Sequence, residues 1–237
     1  MLTLGGGGFS MVDRDEDLPS SLLDGFALSL TGKPRPRVCF VPTASGDADS
    51  YVARFRAAFA ERADPVVLSL FSNVDGPVVP IDRLEQVLDM DLIYVGGGST
   101  ANLLSLWRLH GLDRLLATAA DRGTVLAGIS AGMNCWFEGS STDSFGPLAA
   151  LDDGLRMLPG SACPHYLGEP DRRPAFLRMV AEGELPDGYA VDDGVALLWR
   201  DGVLVEAVAE RRDGVAFRVT RAGSGAVEAP LAVRYLG

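Results

Sequence analysis

The stretch VLAGISAGMNCWF, residues 125–137, carries the strongest structural signal in this chain of 237 residues. Val125–Ile129 is short and apolar, as expected of a strand buried on both faces, and Met133–Phe137 is compatible with a helix. The turn Gly128-Ile129-Ser130-Ala131-Gly132 has the pattern of a nucleophile elbow, in which small residues let a serine hydroxyl project from the carboxyl end of a sheet. A plain Gly-Ser-Gly turn is the alternative. The strand before the turn and the helix after it favour a reactive serine.

The alternation of strand and helix also occurs on the N-terminal side of this turn. Short apolar runs predict strands at Val38–Val41, Val66–Phe71, Leu92–Val95 and Val125–Ile129. Apolar residues at spacings of three and four predict amphipathic helices at Tyr51–Arg62, Asp82–Leu88 and Thr100–His110. Strands that alternate with helices form parallel sheets. The sequence therefore predicts an α/β fold with a mostly parallel sheet sandwiched by helices.

After Pro186 the pattern changes to short strands joined by turn residues. These strands are predicted at Tyr189–Val191, Ala196–Trp199, Val203–Val208 and Ala216–Thr220, with turns at Asp201-Gly202 and Asp213-Gly214. We interpret them as antiparallel strands that extend the same sheet. The opening Gly5-Gly6-Gly7-Gly8 is interpreted as a turn after a brief first strand. The sequence has no internal repeat and no convincing linker, so residues 1–237 are expected to form a single domain.

Charge and composition exclude several classes of partner. The formal net charge is −11 and no basic cluster occurs, so phosphate backbones and anionic lipid surfaces would be repelled. No apolar run approaches the length of a membrane span, and Met1–Asp17 lacks the charged and apolar regions of a signal peptide. We expect a cytoplasmic protein with no nucleic-acid partner and no membrane partner.

Cysteine and histidine are scarce. The three cysteines, Cys39, Cys135 and Cys163, include no short-spaced pair, which is typical of reduced, buried thiols. Only two histidines occur, which limits any metal site built from imidazoles. We expect neither a metal nor another cofactor.

A serine hydroxyl needs a general base to react near neutral pH, and a histidine is the usual base. His165, in Pro164-His165-Tyr166, lies in a loop after a strand-like turn, a setting typical of catalytic groups. His110 ends a predicted helix just before Gly111, where a histidine stabilises the last carbonyls of the helix. We therefore predict His165 as the base and a structural role for His110. A hydrogen-bonded loop histidine without catalytic role is the alternative for His165.

A second glycine cluster, Gly96-Gly97-Gly98-Ser99-Thr100, follows the predicted strand Leu92–Val95 and leads into a helix. It lacks the spaced glycines of a dinucleotide loop and the lysine of a phosphate-binding loop. We favour an oxyanion or substrate contact from the amide of Gly97 or Gly98, together with the amide of Ala131 in the elbow. A simple strand-to-helix turn capped by Ser99 or Thr100 is compatible with the same residues.

A base histidine works best when a carboxylate fixes its tautomer, and two places offer one. Asp143 follows Ser140-Ser141-Thr142, a stretch that can equally form a turn. Asp193, in the pair Asp192-Asp193, precedes Gly194 at the end of a predicted strand, where sites in open α/β sheets assemble. Residue chemistry alone does not separate Asp193 from Asp143.

These motifs together resemble the peptidase E family, the α-aspartyl dipeptidases with their cyanophycinase relatives. The resemblance rests on Gly96–Thr100 with Asn102, Gly128–Gly132, Pro164-His165-Tyr166 and Asp192-Asp193-Gly194, in the family's order over about residues 38 to 200. It implies a class I glutamine-amidotransferase-like (flavodoxin-like) fold and a serine peptidase without metal. It further implies Ser130 as nucleophile, His165 as base and Asp193 at the position where relatives carry a glutamate before glycine. Asp143 falls near an aspartate proposed as the third member. We favour Asp193, because it matches the acid before glycine in the family and lies at the end of a predicted strand, and keep Asp143 as the alternative.

The resemblance also implies a small acidic peptide as substrate, in particular a dipeptide with an N-terminal aspartate. Arg172 and Arg173 lie near the family's arginine, and a guanidinium suits a carboxylate. A solvated helix start beside Glu169 and Asp171 is the alternative for this arginine pair. Relatives suggest a homodimer.

Two other functions stay open at this stage. One is a hydrolase of β-linked aspartyl polymers. The other is a non-catalytic or amidotransferase-like binding module of the same fold, although amidotransferases carry cysteine at the elbow.

Overall fold

Fifteen strands and six α-helices occur in the part of the chain that the computed structural model describes, residues 1–11, 21–71, 76 and 78–237. The strands are β1 Leu2–Leu4, β2 Arg37–Val41, β3 Asp64–Leu68, β4 Val78–Val79, β5 Leu92–Val95, β6 Val125–Ile129, β7 Gly139–Thr142, β8 Ala149–Leu151, β9 Ser161–Cys163, β10 Gly188–Val191, β11 Val195–Arg200, β12 Val203–Ala209, β13 Ala216–Ala222, β14 Gly225–Pro230 and β15 Val233–Tyr235. The helices are α1 Leu22–Ser29, α2 Asp49–Phe59, α3 Thr100–His110, α4 Leu112–Asp121, α5 Ala131–Asn134 and α6 Arg172–Glu182. Part of the predicted opening segment Met1–Asp17, from residue 12 onward, lies outside the described residues.

The first sheet contains nine of these described strands, in the order β15-β12-β11-β1-β6-β5-β2-β3-β4. From β1 to β4 every neighbouring pair is parallel, whereas β11 is antiparallel to both β1 and β12. The register pairs Leu4 with Ile129 and Val95 with Gly128. The carboxyl ends of β1, β5 and β6 therefore lie side by side, and the loops that follow them meet.

Helices cover both faces of this sheet, because each strand at its centre is apolar on both sides. Helices α1 and α2 pack on one face around an aromatic cluster that includes Phe9, Phe40 and Phe55. Helices α3 and α4 pack on the other face, around Trp107 and Trp136. The predicted fold class, a mostly parallel sheet sandwiched by helices, is confirmed. Within the described ranges, no helix is both long enough and apolar enough to span a bilayer.

A second sheet of six described strands has the order β14-β13-β10-β9-β7-β8. The C-terminal strands divide between the two sheets, so the prediction that they all extend the first sheet is wrong. Strands β11, β12 and β15 do join the first sheet, whereas β10, β13 and β14 belong to the second. The switch occurs at Asp192–Gly194, where Gly194 has a φ of +74° that a glycine adopts without strain. Helix α6 packs against the second sheet through Phe176, Met179 and Val180.

Several predicted elements differ in detail, among them the helix expected over Met133–Phe137, which is the short α5 at Ala131–Asn134. The predicted strand Val66–Phe71 ends at Leu68, because the amides of Leu70 and Phe71 donate to the carboxylate of Asp47 and not to a neighbouring strand. The segment predicted as an amphipathic helix over Asp82–Leu88 forms 3-10 turns over Ile81–Asp89. Its kink is at Arg83, whose φ is −138°.

Candidate active site

The elbow serine is held in a strained conformation at the end of β6. Ser130 has a φ of 56°, a region that costs energy for a residue other than glycine. Its amide donates to the carbonyl of Leu4 at 3.1 Å. A β-carbon on Gly128 would lie 2.0 Å from the Gly132 carbonyl oxygen, and one on Gly132 would lie 2.3 Å from that of Val95. Both positions therefore require glycine, which is the physical basis of the elbow pattern.

His165 connects the serine to an acid. Its Nε2 lies 2.9 Å from Ser130 Oγ, and its Nδ1 lies 2.6 Å from Asp193 Oδ1. His165 lies in the loop after β9. Asp193 lies in the turn after β10, the parallel strand next to β9. The arrangement is a serine, a histidine and a carboxylate in hydrogen-bonded sequence, as general-base activation of a hydroxyl requires.

The adjacent residues Asp192 and Asp193 accept hydrogen bonds from different partners. Asp193 contacts His165, whereas Asp192 Oδ1 accepts the amides of Leu167 at 3.0 Å and Gly168 at 2.9 Å. Asp192 thus fixes the loop that carries the histidine. The other acid considered from the sequence, Asp143, lies on an exposed turn, where its Oδ2 is 3.6 Å from Arg172 Nη2. The structure therefore brings Asp193, and not Asp143, to His165.

The N-terminal glycine run reaches this site, which the sequence did not indicate beyond a turn. Gly194 donates its amide to the carbonyl of Gly6 at 2.9 Å, beside a bridge between Gly6 and Asp193. Glu210 also fixes this glycine run, because its carboxylate accepts a hydrogen bond from the amide of Gly8 at 3.0 Å. Four consecutive glycines after a strand were the available signal that the backbone passes close to another group.

A buried carboxyl group lies behind the same loop. Asp24 Oδ2 accepts the amide of Phe9 at 2.8 Å. Burial raises the pKa of Asp24 to about 7, with the nearby charge of Glu210 acting in the same direction and Arg62 against it. Tyr94, fully buried, faces the same space, and burial also raises the pKa of its hydroxyl.

Two of the three predicted oxyanion amides donate to no acceptor among the described residues. The Gly97 amide donates to Tyr51 Oη at 3.2 Å, and burial raises the pKa of that phenol. The amides of Gly98 and Ala131 have no acceptor within the part of the chain that the structure describes. Gly97 instead lies against Ser130, since a β-carbon on Gly97 would be 3.2 Å from Ser130 Cβ. The cap expected at Ser99 is also present, with its side chain accepting the Asn102 amide.

The two predicted arginines have different surroundings. Arg172, the first residue of α6, is only 4% exposed, and its Nε donates to Glu169 at 2.6 Å. Its Nη1 and the side chain of Asn134 both donate to the carbonyl of Ser141. Arg173 is exposed and forms a two-point ion pair with Glu228.

Peptidase family S51 matches residues 1–206. The chain belongs to this family. A relative named "Uncharacterized peptidase YgaJ", from Bacillus subtilis (strain 168), is 46% identical over 240 residues, covering 100% of this chain and 99% of that protein. Another, named "Probable alpha-aspartyl dipeptidase", from Drosophila melanogaster, is 30% identical and covers 73% of this chain and 70% of its own. The resemblance to the peptidase E family is confirmed, and this S51 member is a peptidase, of the serine type characteristic of the family.

A solved structure supports the fold assignment. The crystal structure of a peptidase from an acI-B1 actinobacterium superimposes with a TM-score of 0.67 at 17% identity, covering 98% of this chain and 93% of that one. Within the described ranges of this S51 peptidase, no group of three or more His, Cys, Asp or Glu side chains could hold a metal ion.

Proposed function

We propose that this S51 peptidase hydrolyses dipeptides with an N-terminal aspartate through an acyl-enzyme on Ser130. The observation that carries the proposal is the hydrogen-bonded line from Ser130 Oγ through His165 to Asp193, with distances of 2.9 and 2.6 Å. Both distances are within the range for proton transfer. The relative named as an alpha-aspartyl dipeptidase supports the substrate class.

The chemistry follows from the positions of these three groups. Ser130 Oγ attacks the peptide carbonyl carbon while His165 Nε2 takes its proton, and Asp193 stabilises the imidazolium through Nδ1–H. The tetrahedral intermediate expels the amine of the leaving residue, which receives that proton. Water then attacks the ester, with His165 again as base, and Ser130 leaves with its proton restored.

The oxyanion of the intermediate would be bound by the amides of Gly98 and Ala131. Both amides lack an internal acceptor among the described residues, and Ala131 begins helix α5 directly after Ser130. Amides without an internal partner can donate to charge that develops beside the serine. Gly97 is the weaker candidate of the three predicted amides because Tyr51 Oη already accepts its hydrogen. Its missing side chain leaves room for the substrate beside Ser130.

The carboxylate of the substrate aspartate would bind Arg172. Arg173 is paired to Glu228 through two contacts, whereas the Nη2 of Arg172 lies 3.6 Å from the exposed carboxylate of Asp143. That distance is too long for a hydrogen bond, so a substrate carboxylate can take the place of Asp143. Asn134, which shares an acceptor with Arg172, lies one helical turn after Ser130. This connection supports a pocket for the acidic side chain next to the nucleophile.

A panel of aspartyl, glutamyl and neutral dipeptides tests the proposal, with fluorophosphonate labelling measured alongside. We expect hydrolysis of aspartyl dipeptides and rapid labelling, with both lost in Ser130→Ala at an unchanged melting temperature, because removing the hydroxyl of this half-buried serine leaves no core cavity. Labelling without dipeptide hydrolysis, but with cleavage of β-linked aspartyl polymers, would move the substrate to that class. A wild-type chain that neither reacts with the probe nor hydrolyses any peptide would be a binding module.

A further inference from the structure

The backbone of His165 is strained. Its φ is 53°, which for a residue other than glycine persists only when the surroundings hold it. Two backbone contacts hold the segment, from the Glu169 amide to the His165 carbonyl at 3.0 Å and from the Tyr166 amide to the Val191 carbonyl at 3.3 Å. The amide of the next residue, Tyr166, therefore anchors the backbone that carries the imidazole.

Tyr166 is fixed at both ends of its side chain. It is fully buried, and its ring contacts Phe176 of α6 and Phe217 of β13, with centroids 6.4 and 5.6 Å away. Its hydroxyl donates to Glu228 Oε2 at 2.5 Å. Removing that acceptor would leave the hydroxyl facing the Arg173 guanidinium, which has only donors and cannot accept its proton. A hydroxyl that loses its acceptor destabilises the conformation that depends on that contact.

Glu228 comes from β14, on the edge of the second sheet and beyond residue 206, where the match to the family ends. Its carboxylate is itself oriented by Arg173, whose Nε lies 3.1 Å from Oε2 and whose Nη2 contacts Oε1. Partial burial alone would raise the pKa of Glu228, but the hydrogen bonds from Arg173 and Tyr166 outweigh it and hold this pKa below its ordinary value. The carboxylate therefore stays ionised and keeps accepting from Tyr166.

We propose that Glu228 is a positioning residue for His165, acting through Tyr166. The C-terminal hairpin of β13 and β14 thus contributes to the active site without touching the substrate. The role rests on the proposed function of His165 as the base. Loss of the Glu228 contact should let the Tyr166 ring and the His165 backbone relax, which lengthens the distance from His165 Nε2 to Ser130 Oγ. A misplacement on the order of 1 Å can lower turnover by roughly 100-fold.

The kinetic test uses the full chain with Glu228→Ala, Glu228→Gln and Tyr166→Phe. We expect Glu228→Ala and Tyr166→Phe each to lower kcat and the fluorophosphonate labelling rate by between about 10-fold and 100-fold, with KM nearly unchanged. Because both act through one hydrogen bond, the double variant should be no slower than either alone. Glu228→Gln keeps an acceptor for Tyr166 and should recover most of the rate. The matched control is Glu206→Ala, which removes a similar exposed ion pair with Arg234 elsewhere in the C-terminal segment and should leave kcat unchanged.

A spectroscopic readout separates this proposal from the proposed function. The chain has only two histidines, so the imidazole ¹⁵N signals of His165 can be assigned with His110→Gln. Tyr166→Phe and Glu228→Ala should shift the His165 signals and leave those of His110 in place, whether or not the chain hydrolyses peptides. Unchanged His165 signals in Tyr166→Phe, or a wild-type labelling rate in that variant, would overturn the proposal. If Glu228→Ala does not fold, Tyr166→Phe and Glu228→Gln still give both readouts.

Discussion

Gly6 lies so close to Asp193 that a β-carbon on Gly6 would be 1.9 Å from Asp193 Oδ1. On the opposite side, a β-carbon on Gly168 would be 2.4 Å from Oδ2. The carboxylate that contacts His165 is therefore enclosed by two glycine backbones, and its position depends on the absence of both side chains.

Gly6→Ala should disable the enzyme more than it destabilises the fold. The new methyl group must push the Asp193 carboxylate away from His165, and we expect kcat to fall by about 100-fold, as for a misplaced catalytic group. Gly25→Ala is the matched control, because the new β-carbon would lie 3.7 Å from its nearest neighbour. Gly25 lies inside α1, where alanine is a better helix former than glycine. Gly25→Ala should therefore keep kcat and raise the unfolding free energy by up to about 1 kcal/mol. Steady-state kinetics and urea unfolding of both variants check the pair, and equal activities would contradict the enclosure of Asp193.

Asp193→Asn and Asp143→Asn should differ in kind. The first removes the carboxylate that orients His165, and comparable losses lower turnover by roughly 10⁴-fold. The second removes a negative charge 3.6 Å from Arg172 Nη2, so kcat should be kept and KM for aspartyl dipeptides should fall. The measurement is kcat and KM for both variants, together with the melting temperature. An inactive Asp143→Asn beside an active Asp193→Asn would assign the acid to Asp143.

Substitutions of Arg172 and Arg173 should affect aspartyl and neutral dipeptides differently. Arg172→Gln should lower kcat/KM for aspartyl dipeptides by at least about 10-fold more than for neutral ones, because it removes the proposed partner of the substrate carboxylate. Arg173→Gln should reduce both by the same factor, since it loosens only Glu228. The experiment compares kcat/KM on the two substrate classes for each variant. A loss confined to aspartyl substrates in Arg173→Gln would relocate the pocket.

Stability should fall as pH rises through the range set by Asp24. Burial raises the pKa of Asp24 from 3.8 to about 7, so between these values the folded chain binds a proton that the unfolded chain has lost. A shift of this size corresponds to about 4 kcal/mol of unfolding free energy, lost between roughly pH 4 and pH 7. Asp24→Asn stays neutral and keeps an acceptor for the Phe9 amide. It should therefore change the melting temperature little at pH 4 and raise it at pH 8.

Asp91→Asn is the control, because the pKa of Asp91 is shifted in the opposite direction to that of Asp24. Partial burial works against ionisation of Asp91, but the hydrogen bond from Lys33, at 2.7 Å, and the Arg37 amide lower its pKa. This substitution should lower the melting temperature at pH 8. For Asp24 itself, a melting temperature that rises with pH by the same small amount in wild type and in Asp24→Asn would mean that Asp24 is ionised in the folded chain.

The elbow and the parallel sheet could be predicted because their signals are local. Glycines at positions 128 and 132, an apolar run before and a helix after are contained within a few residues of Ser130. The choice between Asp193 and Asp143 was different. Which carboxylate reaches His165 depends on the pairing of β9 with β10, and residue chemistry carries no information on that pairing.

Contacts between distant segments account for what the sequence did not indicate. Gly6 meets Asp193 only because β1 enters the centre of the sheet between β6 and β11. Glu228 reaches Tyr166 through a hairpin whose own sequence has no catalytic motif. The division of the C-terminal strands between two sheets depends on the turn at Gly194, which reads locally as an ordinary Asp-Gly turn. The expectations of one domain and of a homodimer stay predictions.

The proposed nucleophile and the proposed base belong to different sheets, since Ser130 follows β6 and His165 follows β9. Neither sheet alone holds Ser130, His165 and Asp193, so the proposed chemistry requires the two sheets to be packed against each other. Fluorophosphonate labelling of Ser130 therefore reports on whether the two sheets are packed together, and not on whether their strands are formed. During gradual denaturation, labelling of Ser130 should be lost once the contacts between the two sheets are lost.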